Sequence, residues 1–179
     1  MNPPVIGLVG RRGSGKTLVA QRLCGAHGYL RLPFAKPLKD MLRAIGLDEV
    51  YLGSLKELPC PLLCGATPRH AMQSLGSEWG RSMIHPDLWT TLWREKAYQS
   101  KAPLIVADDV RFANEAATVR ALGGVLVRVI RPGSPTGEAA DRHVSETEQD
   151  AIECGARLVN GGTRAELDAA VDCWLASLL

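Results

Sequence analysis

The run Val5-Ile-Gly-Leu-Val9, Gly10-Arg-Arg-Gly-Ser-Gly15-Lys16-Thr17, Leu18-Val-Ala-Gln-Arg-Leu-Cys-Gly-Ala-His27 decides the reading of this chain. Its first five residues are apolar and rich in β-branched side chains, the pattern of a buried strand, and its last ten carry helical spacing. Between them stands G-x-x-x-x-G-K-[ST], in the strand-to-helix context that gives this pattern its physical meaning. Glycines let backbone N–H groups turn inward around an anion, and a helix beginning near Gly15 directs its positive end at the same point. Gly10, Arg12, Gly13, Ser14 and Gly15 are therefore expected to surround the phosphates of a nucleotide. Lys16 would reach the β- and γ-phosphates, and Thr17 would offer its hydroxyl to Mg²⁺. An ordinary glycine turn before a helix is the plainer alternative, and the context argues against it.

Working outward, a second apolar run, Leu104 to Ala107, stops at Asp108 and Asp109 and leads into RFANEAATVRAL (111–122), a helical pattern ended by Gly123 and Gly124. Val125 to Ile130 reads as a third strand and Arg157 to Val159 as a fourth, before a final helix from about Arg164 to Leu178. Strands separated by helices imply an α/β fold, a parallel sheet covered on both faces in three α/β/α layers. Between Phe34 and Lys101 the pattern is mostly helical, in AKPLKDMLRAIG (35–46), PRHAMQSLGSEWGR (68–81) and PDLWTTLWREKAYQ (86–99), with a Leu/Pro/Gly-rich loop from Leu47 to Thr67. A helical insertion of about 34–101 is where such a fold would build an acceptor pocket. The polar, Pro/Gly-rich stretch of about 131–147 is long for a compact domain and reads as a short lid. No repeat or composition shift divides the chain, and 1–179 is read as a single domain.

Composition narrows the function classes. With 46% hydrophobic and 22% charged residues, the 179-residue chain is globular and can bury a core. No apolar run approaches the roughly 18 residues that span a bilayer, and the opening MNPPVIGLVG lacks the charged head of a secretory signal, so no membrane and a cytoplasmic location are expected. Five scattered cysteines do not suggest a disulfide framework. A net charge of +2 without a basic run argues against DNA or RNA as a partner. Among 21 basic residues Arg outnumbers Lys, which fits paired contacts to several phosphates and fits a GC-rich genome equally well.

A carboxylate at the end of a buried strand lies where ligands of open α/β sheets collect, so Asp108 or Asp109 can orient Mg²⁺, through water, or accept the acceptor's proton. The alternative is that Asp109 caps the helix that follows. Phosphoryl transfer needs cations around the transferring group. Candidates near the acceptor are Lys36, Arg69, Arg81 and Arg111, and near the donor Arg12, Arg131 and Arg142. Trp89 and Trp93, four apart on a helix, suit core packing first and a base contact by Trp89 second. Cys60 and Cys64 with His70 lack a zinc-ligand pattern. His143 could meet phosphate or solvent.

Taken together these residues resemble the phage deoxynucleoside monophosphate kinase family of the P-loop NMP kinases. The similarity runs along most of the chain: GLVGRRGSGKT, the FAKPLKDMLRAIG block, MQSLGSEWGR followed by DLW, DDVRFANEA followed by VRVIR, the HVSE segment and NGGT before the last helix. The resemblance implies transfer of the γ-phosphate of ATP, with Mg²⁺, to a deoxynucleoside monophosphate (dNMP). It implies that Lys36, Arg69, Gln73, Arg81 and Trp89 face the acceptor with Asp109, Arg111 and Glu115 beside it. It favours Asp109 over Asp108, sets Lys16, Asp109, Arg111, Arg131 and Arg142 as the catalytic group, places Asn160 and Gly162 at the donor adenine, and suggests a homodimer. A dephospho-CoA kinase is the alternative within the same core, and an NTP-hydrolysing switch module the alternative of another class.

Overall fold

The computed structural model describes residues 3–133 and 144–178, with side chains in the second stretch from residue 148 onward. In chain order the elements are β1 (Val5–Val9), α1 (Lys16–His27), β2 (Leu30–Arg31), α2 (Lys36–Ala44), α3 (Glu49–Leu52), α4 (Pro68–Gln73), a π-helix over Ser74–Ile84, α5 (Leu88–Ser100), β3 (Ile105–Val110), α6 (Ala113–Ala121), β4 (Val125–Ile130), α7 (Val144–Ala151), β5 (Ala156–Val159) and α8 (Arg164–Ala176). They form two compact units, Met1–Pro33 with Lys96–Leu179, and Phe34–Glu95. The helical insertion expected at about 34–101 overlaps the second unit, and residues 134–143 of the stretch read as a lid lie outside the described residues.

The first unit is a three-layer α/β/α structure around a five-stranded sheet of order β2-β3-β1-β4-β5, parallel at every pairing. β1, buried at every residue, and its neighbours β3 and β4 are rich in Val, Ile and Leu, as buried parallel strands require, whereas the edge strands β2 and β5 are more open. Alternate residues go to opposite sides. Ile6, Leu8, Val106, Val127, Val129 and Leu158 meet Val19, Ala20 and Leu23 of α1 and Leu167, Val171 and Leu175 of α8. On the other side Gly7 lies against Val110, Leu126 and Val119 of α6, so closely that a Cβ would sit 2.7 Å from the Leu126 side chain.

Helix ends are closed by specific groups. Thr163 Oγ1 accepts from Glu166 N at 3.3 Å while Glu166 Oε2 accepts from Thr163 N at 2.7 Å, a capping box that starts α8. The Arg128 guanidinium on β4 donates to the carbonyls of Gln149 (3.1 Å) and Ile152 (2.5 Å), at the carboxyl end of α7. Asp172 of α8 accepts from Arg22 and from the His27 ring of α1, tying the two helices of one layer together.

The second unit is helical around Leu38, Leu42, Leu47, Leu52, Cys60 and Trp89, with Phe34 stacked on Trp93 at 4.5 Å between ring centroids. Asp48 caps α3 and Thr67 caps α4. The Leu47–Thr67 stretch, expected as a loop, instead carries α3 and a 3-10 turn over Pro61–Leu63, the latter beside buried Cys60, whose N–H donates to Ala66 and whose carbonyl accepts from Leu63 and Gly65. Where the sequence suggests one α-helix over 68–81, α4 gives way to the π-helix at Ser74. The reason is packing: Trp89 Nε1 donates to the Gly76 carbonyl at 2.7 Å, and a Cβ on Gly80 would lie 2.6 Å from the indole. Two glycines weaken the α-helix here and admit the ring.

Candidate active site

β1 occupies the centre of the sheet with β3 on one side and β4 on the other, so the strand order reverses at its carboxyl end. Ligands of open α/β sheets bind at such a reversal. The Gly10–Thr17 loop leaves the sheet here. Ser14 N donates to Arg11 O at 3.1 Å, closing the turn, and Lys16 Nζ bridges the carbonyls of Gly10 and Arg11, the latter at 2.8 Å. The ammonium therefore lies on the loop itself, within reach of any anion the loop encloses. Ser14 is buried, and its hydroxyl oxygen has no hydrogen-bond partner. An orphaned buried hydroxyl in a loop of inward-turning backbone suits an anion's oxygen as its missing partner.

Asn160, just past β5, reaches the loop from elsewhere in the chain, as does Asp150, which pairs with Arg11 at 2.8 Å. Asn160 is 8% exposed. Its backbone N–H donates to Ile130 O at 2.7 Å, and its side-chain Nδ2 donates to Ser14 O at 3.0 Å. Gly15 takes a left-handed φ of +103°, and a Cβ there would lie 2.4 Å from Asn160 Nδ2. Glycine is demanded at this position both by conformation and by space. Arg12, Gly13, Thr17, Arg131 and Gly162 are exposed. Arg142 and His143 lie outside the described residues.

Beside the loop, β3 runs on to Val110, so Asp108 and Asp109 sit inside the strand rather than after it. The pleat separates them. Asp108 is buried, its Oδ2 accepting from Arg31 of β2 at 2.7 Å and its Oδ1 without a partner. The hydrogen bond to Asp108 holds the Arg31 guanidinium above its ordinary value. Burial pushes the neighbouring Cys24 thiol up, against the pull of Arg31. Asp109 is half-buried. Glu115 is buried, and its Oε2 accepts from the N–H groups of Arg111 (2.8 Å) and Phe112 (3.2 Å), fixing the turn into α6 that carries Arg111. Arg31 is the residue that sequence reasoning misses. The alternation Leu30-Arg31-Leu32 is its only signal, and a strand of two residues carries too little periodicity to be read.

The helical unit carries the other expected residues. Lys36 pairs with Asp40 at 2.8 Å on the exposed side of α2. Burial works against the Asp40 carboxylate, but Lys36 and Arg43 hold it below the usual range. Arg69 pairs with Glu57 at 2.7 Å and shares a face of α4 with half-buried Gln73, four residues on. Arg81 on the π-helix donates to Pro86 O at 3.3 Å. Trp89 is 3% exposed, its indole N–H committed to Gly76, and the more open Trp79 is tilted against it with ring centroids 6.2 Å apart.

A divalent cation of the Mg²⁺ type takes oxygen ligands and is commonly held by one or two carboxylates together with substrate phosphates. No group of three or more His, Cys, Asp or Glu that would hold an ion by itself occurs among the described residues. Asp108 Oδ1, buried without a hydrogen-bond partner, and the hydroxyl of exposed Thr17 are oxygen donors of the type such an ion takes. No helix among the described residues is long and apolar enough to cross a membrane.

Comparison with known proteins agrees with the fold. Fold similarity extends over the full length of both chains to the crystal structure of TT1252 from Thermus thermophilus, with a TM-score of 0.53 at 18% identity. A dephospho-CoA kinase from Campylobacter jejuni matches at a TM-score of 0.47 and 10% identity over 98% of this chain and 97% of its own. In sequence, a protein of Acanthamoeba polyphaga mimivirus, provisionally named a deoxynucleotide monophosphate kinase, is 35% identical over 164 residues, covering 83% of each chain. The sequence pattern described as deoxynucleotide monophosphate kinase matches residues 66–171, more than half of the chain. The chain belongs to the deoxynucleotide monophosphate kinase family.

Proposed function

We propose that this nucleotide kinase transfers the γ-phosphate of ATP to a deoxynucleoside monophosphate, giving ADP and a dNDP for DNA precursor synthesis. The observation that carries the proposal is the Gly10–Thr17 cradle at the reversal point of the sheet, with Lys16 bridging loop carbonyls and the Ser14 hydroxyl buried without a partner. In this reading Gly10, Arg12, Gly13, Ser14 and Gly15 enclose the donor phosphates. Lys16 swings from the loop carbonyls to the β- and γ-phosphates, and Arg131 and Arg142 add positive charge at the donor. Asn160 and Gly162 close the same side. Thr17, and Asp108 or Asp109 through water, would hold Mg²⁺, which would supply charge neutralisation at the transferring group.

The acceptor phosphate is assigned to Lys36, Arg69 and Arg81, and the acceptor base to Gln73. Trp89 serves by fixing the Gly76–Gly80 turn beneath Trp79. Asp109 and Arg111, on the strand end and turn that Glu115 braces, orient the acceptor oxygen. Phosphoryl transfer asks little covalent chemistry of the protein, so the residues act by in-line positioning and charge stabilisation. By the same reading the enzyme works in the cytoplasm as a homodimer. The test is a coupled ADP-release assay with ATP and Mg²⁺ against the four common dNMPs, their ribose counterparts and dephospho-CoA. Turnover of at least one dNMP, lost in Lys16→Ala, is expected; turnover of dephospho-CoA alone, or ATP hydrolysis with no acceptor phosphorylated, would overturn the proposal.

A further inference from the structure

We infer that Asn160 is a positioning residue for the donor phosphates, acting through the Ser14–Gly15 peptide rather than by touching the nucleotide. The inference rests on the reading of the Gly10–Thr17 loop as the phosphate cradle.

A trans peptide is planar, with its C=O and N–H pointing in opposite directions. Asn160 Nδ2 donates to Ser14 O, so the Ser14 carbonyl is drawn toward β5 and the Gly15 N–H of the same peptide is turned the other way. Were the peptide to rotate, a carbonyl oxygen would replace an N–H donor on the side where an anion is to bind, exchanging attraction for repulsion. The lock is rigid at both ends. The Asn160 backbone continues the β4–β5 ladder by donating to Ile130 O at 2.7 Å, and the residue is 8% exposed. Gly15 lies so close that a Cβ would stand 2.4 Å from the amide nitrogen, so the contact of Asn160 with this peptide depends on glycine here. This hydrogen bond makes Asn160 a support for the loop backbone.

The test uses the full chain and two probes, ATP and inorganic tripolyphosphate, with affinities measured by calorimetry for the wild type, Asn160→Ala and the near-isosteric Asn160→Leu. Tripolyphosphate has no base. Losing one aligned donor to a charged phosphate weakens both probes by about tenfold, and by the same factor. In the Gly15 amide resonance, the shift that tripolyphosphate produces in the wild type is lost in the variants. Asn160→Leu keeps the packing volume if Asn160→Ala does not fold. Loss of ATP affinity with tripolyphosphate unchanged would overturn the inference in favour of a base contact, and unchanged affinity for both would overturn it outright. A wild type that binds neither probe would overturn the phosphate-cradle reading itself, which separates that failure from the first two.

Discussion

Arg31→Ala removes the partner of a buried carboxylate, and its cost can be worked from the structure. The Asp108 side chain is 4% exposed and takes the Arg31 guanidinium at 2.7 Å, while the Arg31 side chain is 46% exposed. Two unit charges about 4 Å apart attract by ~4 kcal/mol at an effective dielectric of 20 and by ~1 kcal/mol in bulk water. Solvent reaches the arginine but not the aspartate, which places the pair between these limits, and Arg31→Ala is expected to cost about 2 kcal/mol. For a chain of this size that lowers Tm by about 4–8 °C. The assay is urea and thermal unfolding of the wild type, Arg31→Ala, Asp108→Asn and the double variant. If the cost comes from stranding a buried charge, Arg31→Ala costs less than about 0.5 kcal/mol once Asp108 is Asn, so the singles do not add. Additive single costs would refute the reasoning and assign the effect of Arg31 to its own packing on β2.

Three further outcomes are expected. Lys16→Ala leaves circular dichroism and Tm near wild type and lowers turnover by about a thousandfold or more, in line with loss of transition-state charge stabilisation; near wild-type turnover would remove Lys16 from the site. Hydrogen bonds from Arg22 and His27 hold the Asp172 carboxylate well below its usual range. A depressed folded-state value contributes stability that is fully present above the ordinary carboxylate value of about 3.9 and is lost as pH falls from there through the folded value. Thermal midpoints followed from pH 5 to pH 2 should therefore fall more steeply for the wild type than for Asp172→Asn, and parallel curves would count against the clamp. Gly80→Ala places a Cβ 2.6 Å from the Trp89 indole, so overpacking costs about 1–3 kcal/mol and changes the near-ultraviolet signal of the tryptophans; an unchanged Tm would mean the π-helix absorbs the methyl.

What the amino-acid sequence discloses of this site divides along a physical line. β1, the loop and α1 are local: apolar run, glycines and helical spacing follow one another within Val5–His27, and each is visible where it stands. β4, read as Val125 to Ile130, matches the observed strand for the same reason. The π-helix is hidden because its cause, the ring of Trp89, comes from the next helix. Asn160 is legible as a residue of interest, but its partner Ser14 is 146 positions away, and only the sheet brings them together.

Asp108 and Asp109 look equivalent as neighbours in a row, yet the pleat of β3 buries one and leaves the other half-open. The same pleat explains Arg31. In the β2–β3 register Arg31 lies opposite Val106, so its side chain shares a face with Val106 and with Asp108 two residues on, the diagonal neighbour within reach of a long side chain. Knowing that register, Arg31 follows from parity alone. Without it, a two-residue strand cannot be placed, and the one cation bonded to the buried carboxylate goes unread among fourteen other arginines.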